Sequence, residues 1–300
     1  MDRRSFLTLA GAAWFASNLW GRGLWAATAT PDAAVVTGGP GEAARAAVEM
    51  LGGMGRFVKP GQKVVIKPNM SFPTPPEKGA NTHPAVVQAI AAMCSEVGAA
   101  EIHILDNPLS SAERCLEASG IQEACRDMGG RVQALTADRF YKEADIEAGE
   151  DMKENAFVRE VLEADVLIAA PTAKSHGATG VSLGLKGMMG LIRDRGAMHW
   201  RYDLDTAIVD LNTRLKADLT VVDGMFVLST GGPYGPGKVL KEDTVIASPD
   251  PVAADALAVE AFAWYGRRFE ARQVKHVRLA AERGLGSMDT ASLRVKRLAL

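Results

Sequence analysis

The richest chemistry lies in one run, Pro171-Thr172-Ala173-Lys174-Ser175-His176-Gly177, continued by Gly180-Val181-Ser182-Leu183-Gly184-Leu185-Lys186-Gly187-Met188-Met189-Gly190. Lys174 and Lys186 supply cations, Thr172, Ser175 and Ser182 supply hydroxyls, and the glycines let backbone amides approach an anion. His176 carries the near-neutral ring suited to moving a proton. The combination points to a bound phosphate, carboxylate or similar small anion. The same run also reads as a structural loop entering a packed helix, with Leu183, Leu185, Met188 and Met189 in the core. It is not a nucleotide loop: Gly-x-x-x-x-Gly-Lys-Ser/Thr is absent, and no Gly-x-Gly-x-x-Gly follows a strand.

Other unusual polar residues fall at the ends of apolar runs. Lys67 and Asn69 follow one, Asp106 and Asn107 end a second, and Thr172, Lys174 and His176 follow a third. Asp223 ends a fourth, and Ser248 and Asp250 follow a fifth. In open α/β sheets the carboxyl ends of parallel strands share an edge where ligands bind, so these segments would converge on one site. Each alone also reads as an ordinary turn residue. On the convergent reading Lys67, Lys174 and Lys186 hold negative charge and His176 transfers a proton. Asp106 or Asp223 then orients it or binds a metal. The catalytic candidates are His176, Lys174 and Asp223; the ligand-binding candidates are Lys67, Asn69, Asp106, Lys186 and Lys238. Lys238 closes a second glycine-rich element, Gly231-Gly232-Pro233-Tyr234-Gly235-Pro236-Gly237, which is either a clamp or a plain loop.

His199, beside Trp200, Arg201 and Tyr202, is the other candidate functional histidine. His83 stands at a helix start, where it binds a ligand or merely caps, while His103 and His276 read as structural or solvent-facing. A divalent metal held by His83, Asp106, His176, His199 or Asp223 is conceivable. No tight ligand spacing supports it, so no metal ligand is assigned and the cofactor stays open. Cys94, Cys115 and Cys125 form neither a disulfide framework nor a cluster motif and read as small core residues. Cys115 and Cys125 could pair if Gly120 turns the chain between two short helices. Asp250 reads as a helix cap, and Asp255 as facing the cleft or a neighbouring cation.

The scaffold that must position these groups is legible as alternating apolar runs and helical patterns. Strands are expected at Gln62–Lys67, Glu101–Leu105, Arg131–Leu135, Asp165–Ala170, Leu219–Val222, Thr244–Ala247 and Leu293–Leu298. Helices are expected from Pro84, capped by Thr82 or Asn81, and over Ser111–Gly129 with a break at Ser119-Gly120. Further helices are expected over Asn155–Glu163, Leu204–Leu215 and Pro251–Arg283. Residues 136–152 are charged, poor in core residues and read as an excursion. The alternation implies an α/β fold of three layers, a mostly parallel or mixed sheet with helices on both faces.

Residues 1–29 read differently. Arg3-Arg4 precede Ser5-Phe6-Leu7, a mildly apolar stretch follows, and Ala27-Thr28-Ala29 gives a small-x-small cleavage pattern. This is the order of a twin-arginine signal peptide, which sends folded cargo to the periplasm through the twin-arginine translocase. Residues 30–300 then form one domain. Without Arg3, Arg4, Arg22 and Asp2, the basic residues fall from 34 to 31 and the acidic from 36 to 35, a net charge of −4. That balance implies no nucleic-acid partner, and no other apolar run is long enough to span a membrane.

The stretches IKPNM (66–70), PTAKSHGATGVSLGLKGMMG (171–190), ADLTVVDG (217–224), GGPYGPGK (231–238) and SPDPVAADALA (248–258) resemble the domain-of-unknown-function family DUF362. Thr82-His83-Pro84 and the strand end at Asp106 are similar to that family too, and the resemblance covers roughly residues 60–265. It implies an α/β protein. Some members carry a ferredoxin-like module, whose cysteines this chain lacks. The family's central motif resembles Lys-x-His-x-x-x-Gly-x-Thr-x-x-x-Lys-Asn. Here Lys174, His176, Gly180 and Lys186 match, Ser182 replaces the Thr, and Gly187 stands in place of the Asn. The functional expectation is an exported enzyme acting on a small anionic or phosphorylated compound by Lys/His-assisted proton transfer or hydrolysis. The alternatives are a non-catalytic binding or accessory protein, and a redox-associated protein with a cofactor loaded in the cytoplasm.

Overall fold

The computed structural model describes residues 30–127 and 131–300, so the expected signal segment, residues 1–29, lies outside the described residues. The apolar runs form β1 (Ala33–Thr37), β2 (Lys63–Pro68), β3 (Glu101–Asp106), β4 (Arg131–Ala134), β5 (Tyr141–Asp145), β6 (Glu154–Val158) and β7 (Val166–Ala170). They continue as β8 (Thr172–His176), β9 (Gly180–Ser182), β10 (Leu219–Leu228), β11 (Val239–Ser248), β12 (Ala263–Trp264), β13 (Arg267–Arg268) and β14 (Val295–Ala299). The helices are α1 (Pro40–Met50), α2 (Pro84–Glu96), α3 (Ala112–Ser119), α4 (Ile121–Ala124), α5 (Arg159–Leu162), α6 (Gly184–Gly187), α7 (Met198–Arg201), α8 (Leu204–Arg214), α9 (Pro251–Ala261) and α10 (Lys275–Glu282).

One mixed sheet runs in the order β14-β1-β11-β10-β7-β2-β3-β4. From β10 to β4 neighbouring strands are parallel, whereas β11 is antiparallel to both β1 and β10. Every residue of β7 is buried, and successive side chains enter opposite faces as the pleat demands. Val166, Ile168 and Ala170 join the apolar layer under α1 and α2, while Leu167 and Ala169 join the layer under α8, α9 and α10. The expected three-layer architecture with helices on both faces is therefore the fold.

α2 shows how local sequence sets an element. Proline opens it, and His83, rather than Thr82 or Asn81, is the cap: its Nδ1 accepts the Ala85 N–H at 3.2 Å. Thr82 instead bonds across the sheet edge, its hydroxyl donating to Ala170 O and accepting from Asn69 N. Val86, Val87, Ile90, Met93 and Cys94 then face the sheet.

Three expected elements differ. Glu154–Val158 is a strand, because pairing with β5 and burial of Phe157 and Val158 override its helical character. The helix expected over Pro251–Arg283 is broken by the β12–β13 hairpin, where Tyr265 and Gly266 both adopt positive φ. The LTVV strand continues to Leu228, leaving Asp223 inside β10 and not at its end. The charged excursion, residues 136–152, holds β5, which pairs with β6 in a separate two-stranded sheet, yet Tyr141, Ile146 and Met152 anchor it in the core. All three cysteines are free and buried, so Cys115 and Cys125 do not pair.

Candidate functional site

β2 and β7 are neighbours, but the chain leaves β2 for β3 on one side and leaves β7 for β10 on the other. This reversal is a topological switch point, and the two strands end level, with Pro68 opposite Ala170. Beyond it, Asn69 Oδ1 accepts the Thr172 N–H at 2.9 Å, bridging the two strand ends. Pro171 interrupts β7, and β8 then continues beside the far half of β10. β8 folds back on β9, placing Lys174 opposite Ser182 and His176 opposite Gly180. Lys174 and His176 therefore share one face, while Ser175 points to the other and accepts the Gly232 N–H through its Oγ.

That face opens on a cavity of about 280 Å³. Asn69, Ser71, Phe72, Lys174, His176, Ser182, Lys186, Met189, Arg195 and His199 contribute side chains to its wall, and Leu109 and Pro233 add apolar surface. No aspartate or glutamate lines it. Lys186 reaches it from α6, whose first N–H groups, those of Gly184 and Leu185, donate to Asp255 at 2.8 and 2.9 Å. Asp255 thus faces neither cleft nor cation: it holds the short helix that presents Lys186. Asn81 holds the opposite wall, its amide binding the backbone of Ser71, Phe72 and Thr74.

Lys67 and Asp106 form a buried ion pair, Nζ to Oδ1 at 3.1 Å, at the ends of β2 and β3. The second carboxylate oxygen accepts from Met70 N and from Ser71 Oγ at 2.6 Å. Ser71 Oγ in turn accepts from Arg195 at 3.3 Å. Gly190 lies so close over this pair that a Cβ there would overlap the Asp106 carboxylate and the Lys67 side chain. By contrast, a Cβ at Gly187 would meet nothing nearer than Pro171 at 3.9 Å, so the missing side chain leaves room beside Lys186.

The cations differ in how they are held. Lys174 Nζ donates to Ala80 O at 2.6 Å and sits 5.2 Å from the centre of the Phe72 ring. Lys186 has only Met189 Sδ at 3.7 Å and no oxygen partner among the described residues. Burial lowers all three lysines, opposed by Asp106 for Lys67 and Lys174. Lys186 falls to about 7 through burial first, then the nearby Arg195 charge. Burial and the charges of Lys186, His199 and Lys174 lower His176 to about 3, which keeps its ring neutral at physiological pH. Its Nδ1 lies 3.1 Å from Thr179 Oγ1, and the ring stacks on His199 with centroids 5.7 Å apart.

Of the residues singled out from sequence, Lys174, His176, Lys186 and Asn69 line one cavity, with Lys67 and Asp106 paired beside it. Asp223 and Lys238 are not among the lining residues. Asp223 accepts the N–H groups of His83 and Met225, joining β10 to the start of α2, and burial raises it to about 6. Lys238 is exposed on the glycine-rich loop. Asp106 binds Lys67 and does not orient His176. Sequence reasoning does not single out Arg195, Ser71 or Phe72; for Arg195 the available signal is its place four residues before His199. Among the described residues no cluster of three or more His, Cys, Asp or Glu could hold a metal. No described helix is long and apolar enough to cross a membrane.

Several known proteins are similar to this chain. A thylakoid-associated protein of Synechocystis (sll1697) is 27% identical over 219 residues, covering 70% of this chain and 66% of that relative. The solved lactate racemase apoprotein of Thermoanaerobacterium thermosaccharolyticum aligns with TM-score 0.45 at 11% identity, over 74% of this chain and 55% of that one. A Thermotoga maritima crystal structure aligns with TM-score 0.44 at 14% identity, over 82% and 60%. Residues 64–260 match the model of the domain of unknown function DUF362, and the chain belongs to that family.

Proposed function

We propose that the cavity binds a small carboxylate- or phosphate-bearing compound and that the protein acts on it by proton transfer. The observation that carries this reading is the wall itself, where Lys174, Lys186 and Arg195 converge with no acidic side chain among the lining residues. Two buried lysines and the half-buried Arg195, on a wall with no carboxylate of its own, are costly to keep charged, and an anion that enters replaces the water they have lost. The Asn69 amide nitrogen and the Ser182 hydroxyl supply neutral donors to orient it.

The proton-carrying role expected of His176 moves in part to Lys186, because a group near pKa 7 serves best at neutral pH. A bound anion also changes both groups. Its negative charge favours the protonated forms, raising Lys186 and His176 together, so the ligand brings the histidine toward its working range.

Thermal denaturation of the full chain with and without millimolar inorganic phosphate, phosphoglycolate or acetate tests the reading. At least one should raise the midpoint by several degrees, and Arg195→Met should remove most of that rise. If none stabilises the protein, or the arginine variant responds like wild type, the anion assignment is wrong. A non-catalytic binding protein would show the same shift without turnover.

We also propose that residues 1–29 direct export by the twin-arginine route, placing the protein in the periplasm. The Arg-Arg pair and the small-residue cleavage pattern support this. Replacing both arginines by lysine tests it by cell fractionation.

A further inference from the structure

We infer that Lys186 is a nucleophile that forms an imine with the carbonyl carbon of a small oxo acid held in this cavity. The inference rests on the anion reading and deepens it by naming the substrate class. Of the three buried lysines, Lys67 is held by Asp106 and Pro68 O, and Lys174 by Ala80 O. Lys186 alone lacks an oxygen acceptor among the described residues, is 9% exposed, and faces the cavity. A lysine used only to bind charge is normally anchored; one left free has its nitrogen available to a ligand atom.

The surroundings suit the chemistry of such an amine. Burial and the neighbouring guanidinium of Arg195 favour the neutral form, the two conditions that activate lysine nucleophiles. Before an anion binds, that leaves far more free amine at neutral pH than an ordinary lysine has. Arg195 and Lys174 line the same cavity and bind the carboxylate, while Met189 Sδ lies 3.7 Å from the amine.

The step balances without an oxidant or reductant. The Lys186 nitrogen forms a bond to the carbonyl carbon, and the carbon–oxygen double bond becomes a hydroxyl that takes a proton from the nitrogen. That hydroxyl then leaves as water with the second amine proton, and the carbon–nitrogen double bond remains. The neutral His176 ring lies in the same wall to relay these protons.

Reductive trapping tests the inference. The full chain is incubated at neutral pH with pyruvate or acetoacetate and cyanoborohydride, then analysed by intact mass and peptide mapping. One adduct is expected, with the mass of the acid less one oxygen, on the peptide carrying Lys186. Its yield should exceed that at any other lysine at least about tenfold. Lys186→Met and Lys186→Arg, each checked for folding by circular dichroism, should both lose it. Absence of an adduct with either acid overturns the inference, as does labelling that favours other lysines. The same acids are scored for thermal stabilisation: stabilisation without trapping leaves the anion reading standing and removes only the imine. If the oxo acids and the phosphate and acetate probes all fail to stabilise the wild type, both readings fall.

Discussion

Buried lysines are tolerated when an oxygen replaces the water around the ammonium, a condition that Lys67 and Lys174 meet and Lys186 does not. The lowered pKa of Lys186 is a statement about stability as well as reactivity. Between about 7 in the fold and its ordinary value of 10.5, the unfolded chain binds the extra proton, so rising pH stabilises the native state across that window. Below pH 7 the penalty is present in full. Lys186→Met should therefore be more stable than wild type by about 1–4 kcal/mol at pH 6, and the difference should shrink as the pH approaches 10. Denaturant melts of both proteins across that range measure it. The charges of Arg195, Asp205 and Lys67 act on the amine, and its own charge acts on Lys174, His176, His199 and His276. A constant difference at every pH would mean that Lys186 stays charged in the fold and would also weaken its case as a free amine.

Among the elements, the turn Met188–Leu191 matters most, because it seals the ends of β2 and β3 over the buried ion pair. Asn107 fixes it there: its N–H donates to Gly190 O at 3.0 Å, and its side-chain amide donates to Ile192 O and Arg193 O. Only glycine fits at position 190, since both side chains beneath it are buried and pinned. Gly190→Ala should cost about 1–3 kcal/mol of stability and weaken anion binding, by pushing the turn that precedes Arg195 away from the sheet edge. A variant that melts and binds like wild type would show that the turn is loosely docked. These elements were unequally legible from sequence. β2, β3 and β7 are legible as apolar runs bounded by turn residues, and Lys67, Asn69 and Asp106 stand at the ends of β2 and β3. β8 and β9 did not, because Thr172–His176 and Gly180–Ser182 are polar and glycine-rich and become strands only through pairing with β10 and each other. Arg195 lay hidden for a related reason: it sits on an irregular segment without periodicity, and only the fold of that segment brings it to Ser71. Asp223 misled in the opposite direction. It looked like the end of a strand, but β10 runs on for five residues past it, and its carboxylate is taken up by backbone N–H groups.

For the molecule as a whole, the two ends of residues 31–300 meet in the sheet. β1, which opens at Ala33, is flanked by β11 and by β14, which begins at Val295; Ala33 lies opposite Val295 and Thr37 opposite Ala299. β1 is therefore flanked on both sides only when β14 has been made, and until then the side of β1 that β14 covers can pair with another chain. A signal read while the chain is still unfolded would export it before β14 could dock. A twin-arginine signal allows docking first, so the proposed route and the topology are mutually consistent. Fractionation of cells expressing the full chain should show wild type in the periplasm and Arg3→Lys/Arg4→Lys retained inside, both folded. Removal of Val295–Leu300 supplies a second arm: with the arginines intact but β1 uncovered, the shortened protein should accumulate or aggregate in the cytoplasm. The residues lining the cavity lie around β2, β7 and β8, with β11 and β10 between them and β1, so any soluble fraction should still be stabilised by the probes that stabilise wild type. Export of the double-lysine variant at the wild-type level would sink the proposed route. Normal export of the shortened chain would instead separate the route from the closing of the sheet.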